Sequence, residues 1–263
     1  MTSIQYDINK VEQILSENFE ELLPENSLYN FIFGSSKKIR SKYTILYLRA
    51  TNSLLNNNVY KIIASGEIIH NASLLHDDVI DNSLKRRNLT TIGQLYSDKI
   101  SILSGDYLLS IVMDILLSID DKDVLSIFNN CIKEMCKAEV LQFNLRYNKP
   151  TLNEYINICR GKTAVLFKSI LRACLKVNNS DYFHADELSE LYGINFQIKN
   201  DLSETGYQED ISNGIYTARE ILGIEKTIAL LDNNKKRMSE ILQNLPDNQY
   251  KSELESLILD NDR

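Results

Sequence analysis

Three aspartates, Asp77, Asp78 and Asp81, close the otherwise apolar run in HNASLLHDDVIDNSLKRR. Carboxylates at a helix C-terminus oppose the macrodipole, and Leu74 and Leu75 draw this segment inward, so a solvated helix end accounts poorly for them. Asp77 and Asp81 are one helical turn apart, and their oxygens converge on hard cations such as magnesium, which prefers oxygen ligands and keeps part of its water. Such ions bridge to a diphosphate.

Arg86 and Arg87 follow the carboxylates, and Lys37 and Arg40 form a second basic pair at helical spacing in FGSSKKIRSK. Guanidinium grips phosphate as a fork, and ammonium supplies a mobile point charge. Together with the aspartates, these pairs make a candidate site for two diphosphates, one held through metal and one held directly by cations. His70 lies about two turns before Asp77 on the same helix face and reaches the same cavity, with a satisfied core histidine as the equal alternative. His76 is read as structural.

A second polar cluster stands in FQIKNDLSE, where Asn200, Asp201 and Glu204 offer oxygens within about one turn of another mostly apolar helix. Two such clusters fit a pocket closed by metals from opposite walls. Between them in sequence, Lys162 and Thr163 of GKT lie among apolar residues; the glycine pattern and strand of a nucleotide-type phosphate loop are absent.

Helices must position these groups. Apolar residues recur at three and four positions in VEQILSENFEELL, KIIASGEIIHNASLLH, LLSIVMDILLSI, YINICRGKTAVLFKSILRACL and ELSELYGINFQIKNDL, with nine Gly and three Pro as sparse punctuation. Thr151 and Glu154 form a capping box that starts the helix containing Lys162. No period-two alternation or Asn-Gly turn signals a sheet. Several helices are apolar over more than a stripe, as in the middle of a bundle, so the chain reads as a single all-α domain over residues 1–263.

The 29 Lys and Arg against 36 Asp and Glu, a formal charge of −7, exclude the broad basic surface of a nucleic-acid binder. Cys131, Cys136, Cys159 and Cys174 lack metal-type spacing and read as buried free thiols. Without a basic-then-apolar leader or an apolar run of membrane length, the expectation is a reduced, cytoplasmic protein with no membrane span.

SLLHDDVIDNSLKRR, GDYLLS at Gly105, KTAVLF at Lys162 and FQIKND at Phe196 stand in the order found in trans-isoprenyl diphosphate synthases, or polyprenyl synthetases, and the sequence resembles that family from about Gly34 to at least Gly214. The resemblance implies a helical bundle around a deep central cavity, of isoprenoid synthase type, usually a homodimer. It implies magnesium-dependent condensation of an allylic diphosphate with isopentenyl diphosphate to a longer trans-polyprenyl diphosphate, with two or three Mg2+ ions.

By matching motif, Asp77 and Asp81 would bind magnesium on the allylic diphosphate, with Asp78 in support and Arg86 in contact. Lys37, Arg40, His70 and Arg87 would hold isopentenyl diphosphate. Lys162, Thr163 and Gln197 match the allylic end, where the latter two would stabilise a cation. Asn200, Asp201 and Glu204 correspond to the second aspartate-rich motif and a third magnesium.

The sequence departs from the family where Asn200 and Glu204 replace aspartates, where SSKKIRS lacks the usual glycine and final proline, and where Tyr207 and Ile215 stand near usual lysines. A noncatalytic or partner-dependent subunit of a heteromeric synthase is therefore the alternative; a terpene cyclase ranks below it. Small Ala72 and Ser73, one turn before Asp77, suggest a product longer than fifteen carbons, because short-chain members of the family often carry bulky rings there.

Overall fold

The computed structural model describes residues 4–34, 37–87, 89–181, 183–203 and 211–259; Glu204 and Tyr207 lie outside the described residues. The chain groups into two units: Met1–Ile45 with Leu55–Leu125, and Leu46–Leu54 with Ser126–Arg263.

The first unit is organised by helix α4 (Asn57–Ile80), whose start is capped by Asn56, its side chain accepting from Val59 N at 3.0 Å. Ile62, Ile63, Ile68, Ile69, Ala72 and Leu75 are each at most 4% exposed, so α4 is covered on several sides. Burying each of the larger side chains contributes roughly 1.5–3 kcal/mol. Helix α1 (Gln5–Glu17) covers part of it and is fixed there by Tyr60 Oη, which donates to the buried Asp7 Oδ1 at 2.7 Å. Helix α6 (Asp98–Leu117) covers another part, and Ser101 Oγ donates to Leu75 O at 2.9 Å. Short α2 (Ser27–Phe33), the first turns of α3 (Ile39–Ala50) and α5 (Ile92–Leu95) complete this unit.

Beyond α4 the chain doubles back through a two-residue antiparallel ribbon, β1 (Lys85–Arg86) with β2 (Leu89–Thr90), pairing Lys85 with Thr90 and Arg86 with Leu89. The expectation of no sheet is corrected to that extent. Arg87 at the bend has φ 52°, a left-handed conformation costing a non-glycine residue roughly 1–2 kcal/mol. Helix α6 is long and apolar enough to cross a membrane by length and composition alone, contrary to the sequence expectation, although 44% of its most apolar stretch is buried.

In the second unit, α7 (Lys122–Asn144, from Ser126 onward), α8 (Leu152–Cys159), α9 (Val165–Val177), α10 (Phe183–Leu202), α11 (Ala218–Leu222), α12 (Ile224–Gln243) and α13 (Gln249–Leu259) follow in order. The expected capping box starts α8: Thr151 N donates to Glu154 Oε2 at 2.7 Å, and Glu154 N to Thr151 Oγ1 at 3.3 Å. The helix does not run evenly to Lys162, however. Arg160–Ala164 form a π-helical turn closed by Val165 N on Arg160 O.

Two glycines clamp that turn. A Cβ on Gly161 would lie 2.5 Å from Ala138 Cβ of α7, and one on Gly193 of α10 would lie 2.3 Å from Ala164 Cα, so neither contact admits a side chain. Tyr155, Cys159, Ala164, Ile194, Ile198, Ala218 and Leu231 form the adjoining core, and Phe167 meets Tyr192 edge-on at 5.1 Å. Cys131, Cys159 and Cys174 are buried free thiols as expected, but Cys136 is exposed, because it falls on the polar face of α7.

Candidate functional site

The end of α4 separates the three aspartates. Asp81 caps the helix, its N–H bonding Asp77 O at 2.9 Å, and both side chains are half-buried. Asp78 is 3% exposed, and its Oδ1 accepts from Arg86 Nε at 2.5 Å. A buried carboxylate needs such a partner, since removing one half of a buried ion pair typically costs about 3–5 kcal/mol.

With Asp78 engaged by Arg86, Asp77 and Asp81 are the carboxylates positioned for a cation. Among the described residues no three His, Cys, Asp or Glu gather as a metal site. Two carboxylates completed by diphosphate oxygens and water are nevertheless the donor set magnesium commonly takes, so the residues fit that ion.

The basic residues of the same unit do gather. The His70 imidazole is held well below its ordinary pKa, first by burial and then by the guanidinium groups of Arg40, Arg87 and Arg86. Arg40 is 8% exposed, whereas Lys37 is exposed just before α3. Arg87 is exposed as a residue, yet burial of its guanidinium and then neighbouring Arg86 lower its pKa, while Glu67 and Asp78 oppose them. His76 turns to α6, with Nε2 3.3 Å from Ile102 O and 3.4 Å from Asp106 Oδ1, which suits its structural reading.

Sequence reasoning missed Glu67. It is 3% exposed on α4, and its Oε1 accepts from Ser41 N at 3.0 Å and from Ser41 Oγ at 2.6 Å. The signal was a lone acid inside the apolar run KIIASGEIIH.

The second unit joins Lys162, Thr163, Gln197 and Asp201 to further partners. Lys162 Nζ lies 2.6 Å from Oε2 of Glu139 on α7, another residue that sequence reasoning missed. Thr163 Oγ1 donates to Gln197 Oε1 at 2.9 Å, and Gln197 Nε2 donates to Asp201 Oδ1 at 2.9 Å. Asp201 Oδ2 accepts from Tyr155 Oη at 2.5 Å and Ala218 N at 3.3 Å.

Burial raises the Asp201 pKa, and the donors from Tyr155, Gln197 and Ala218 pull it back. The same burial pushes the Cys159 thiol up to about 12. Of the second motif, Asn200 is exposed, Asp201 is 4% exposed and hydrogen-bonded through both oxygens, and Glu204 lies outside the described residues.

A profile of the polyprenyl synthetase family matches residues 20–257. The short chain isoprenyl diphosphate synthase of Methanocaldococcus jannaschii is 27% identical over 274 aligned positions, which cover 96% of this chain and 83% of that protein. The octaprenyl diphosphate synthase of Escherichia coli is 30% identical over 182 positions, covering 66% of this chain and 55% of the relative. Among solved structures, a polyprenyl synthase from Caulobacter crescentus, complexed with calcium and isoprenyl diphosphate, matches with a TM-score of 0.87 at 21% identity, covering 97% and 94% of the two chains. At that identity the likeness bears on fold, and it bears out the all-α class.

Proposed function

The chain belongs to the polyprenyl synthetase family and is a prenyltransferase, and from that premise we propose that it condenses an allylic diphosphate with isopentenyl diphosphate, using magnesium, to a trans-polyprenyl diphosphate longer than fifteen carbons. The observation that carries this reading is the end of α4, where Asp77 and Asp81 lie one turn apart while Arg86 engages Asp78.

Magnesium held by Asp77 and Asp81 would neutralise charge developing on the departing diphosphate. Arg40, Arg87 and Lys37 bind isopentenyl diphosphate, with His70 neutral beside them until the anion arrives. At the allylic end Glu139 orients Lys162, and the Thr163 and Gln197 dipoles stabilise positive charge on the allylic carbon. The isopentenyl double bond attacks that carbon, and the proton then lost passes to the released diphosphate, so no protein base is required. Apolar side chains of α4 before Asp77, Ile69 and Ala72 among them, exclude water that would quench the cation.

Incubating the purified chain with magnesium, isopentenyl diphosphate and starters of several lengths tests this. Products beyond fifteen carbons are expected, with a loss of about a hundredfold or more in Asp77→Ala. Wild-type turnover by that variant would overturn the metal assignment.

A second reading, a subunit active only with a partner chain, is favoured by one observation: Asn200 is neutral while both Asp201 oxygens are hydrogen-bonded within the unit. Turnover by the chain alone, as a homodimer, decides against it. We further propose a cytoplasmic setting, supported by four free thiols.

A further inference from the structure

We propose that Glu67 is a positioning residue for the cationic diphosphate subsite, a buried anion that fixes the first turn of α3 against α4 and orders the cations around it without touching substrate. The proposal rests on the reading of Lys37, Arg40, His70 and Arg87 as that subsite. A carboxylate inside an apolar helix is costly unless it is paired and hydrogen-bonded, so its partners show what it does.

Those partners lie at the helix start that carries the basic pair. Ser41, fully buried, gives both its N–H and its hydroxyl to one Glu67 oxygen. Amides in the first turn of a helix lack intrahelical acceptors, and the positive end of the helix favours a carboxylate there. A proline at this position would supply neither donor.

The residue before Ser41 is Arg40, and one turn beyond Glu67 on the same face of α4 is His70. Lys38 and Arg87 both feel the Glu67 carboxylate. Lys38, Arg40, Arg86 and Arg87 repel one another, and three acids are set among them. Asp78 takes Arg86, Glu12 takes Lys38, and Glu67 stands where α3, α4 and Arg87 meet. Removing it frees the first turn of α3 and lets Arg40 and Arg87 drift apart.

A residue that merely packed two helices would, when lost, weaken every kinetic parameter together. A positioning residue moves the KM of one substrate. In Glu67→Ala the KM for isopentenyl diphosphate is expected to rise about tenfold, with kcat and the allylic KM changed less than about twofold. Glu67→Gln keeps an acceptor for Ser41 and loses the charge; it should recover that KM to within about threefold of wild type. If Glu67→Ala does not fold, Ser41→Ala, which removes one of two donors, is read instead, with a rise of about threefold expected.

Lys37→Ala and Arg87→Ala are measured in parallel. If they raise the isopentenyl KM and the Glu67 and Ser41 variants leave it unchanged, raise both KM values equally or act on kcat alone, the proposal is overturned. If the two cation variants move the allylic KM instead, the subsite assignment fails, and Glu67 keeps its role only by moving that same KM. If they move neither, both fail.

Discussion

The Tyr155 hydroxyl donates to Asp201 Oδ2 across 2.5 Å, tying α8 to α10 at the point where Gln197 and Ala218 also reach that carboxylate. Tyr155→Phe leaves a carboxylate that is 4% exposed with one donor fewer. The expected loss is about 1–3 kcal/mol of unfolding free energy, measured by urea titration. Unchanged stability would show that the hydroxyl makes no net contribution.

Asn200 offers an amide oxygen next to an aspartate already hydrogen-bonded through both oxygens, so the second motif should bind magnesium weakly. Asn200→Asp adds a charged ligand at an exposed position. Titration should show the magnesium needed for half-maximal rate falling by about two- to threefold. An equal or higher requirement would mean that this residue does not limit metal binding.

Ser73 is half-buried on α4, one turn before Asp77, with Oγ donating to His70 O at 2.9 Å beside the fully packed Ala72. A Phe there would fill space that the growing tail needs, so Ser73→Phe should shorten the product. Chromatography of the products checks this, and an unaltered length distribution would place the tail elsewhere.

His70 should make the fold acid-sensitive. Its folded pKa is depressed below 6.5 by burial and by Arg40, Arg87 and Arg86, so the unfolded chain binds the proton more readily. The stability from neutral His70 is complete above 6.5 and is lost as pH falls through the folded value. His70→Gln should show a smaller drop in unfolding free energy between neutral pH and about pH 5 than wild type. Equal slopes for the two proteins would contradict a buried, neutral imidazole.

What sequence could show depended on whether the cause was local. The Asp77 and Asp81 spacing was legible because one helical turn fixes it, and the Thr151 capping box because both partners lie within four residues. The grouping of Arg40, His70 and Arg87 was legible only through family resemblance. Glu67 and Glu139 escaped notice because a single acid in an apolar helix gains meaning from Ser41 or Lys162, each more than twenty residues away in sequence.

The β1–β2 ribbon carries no Asn-Gly signal, since its bend puts Arg87 in the left-handed region. Cys136 misled because its neighbours are apolar while its helix phase faces out. The engagement of Asp78 by Arg86 and of Asp201 by Tyr155 could not be read from motifs that present all their acids as equivalent.

The π turn at Arg160–Ala164 holds one residue more than the α-helical geometry it replaces, so the stretch from Leu152 to Val177 carries one residue of slack. Losing that residue would restore an unbroken α-helix and swing the buried face of α9, with Leu166, Phe167, Ile170 and Cys174, by about 100° about the axis. Lys162 and Thr163 would rotate away from Glu139 and Gln197 in the same movement. Single-residue deletions, usually tolerated in loops and harmful in helices, thus have one place in this helix where they would act as a register switch rather than a break.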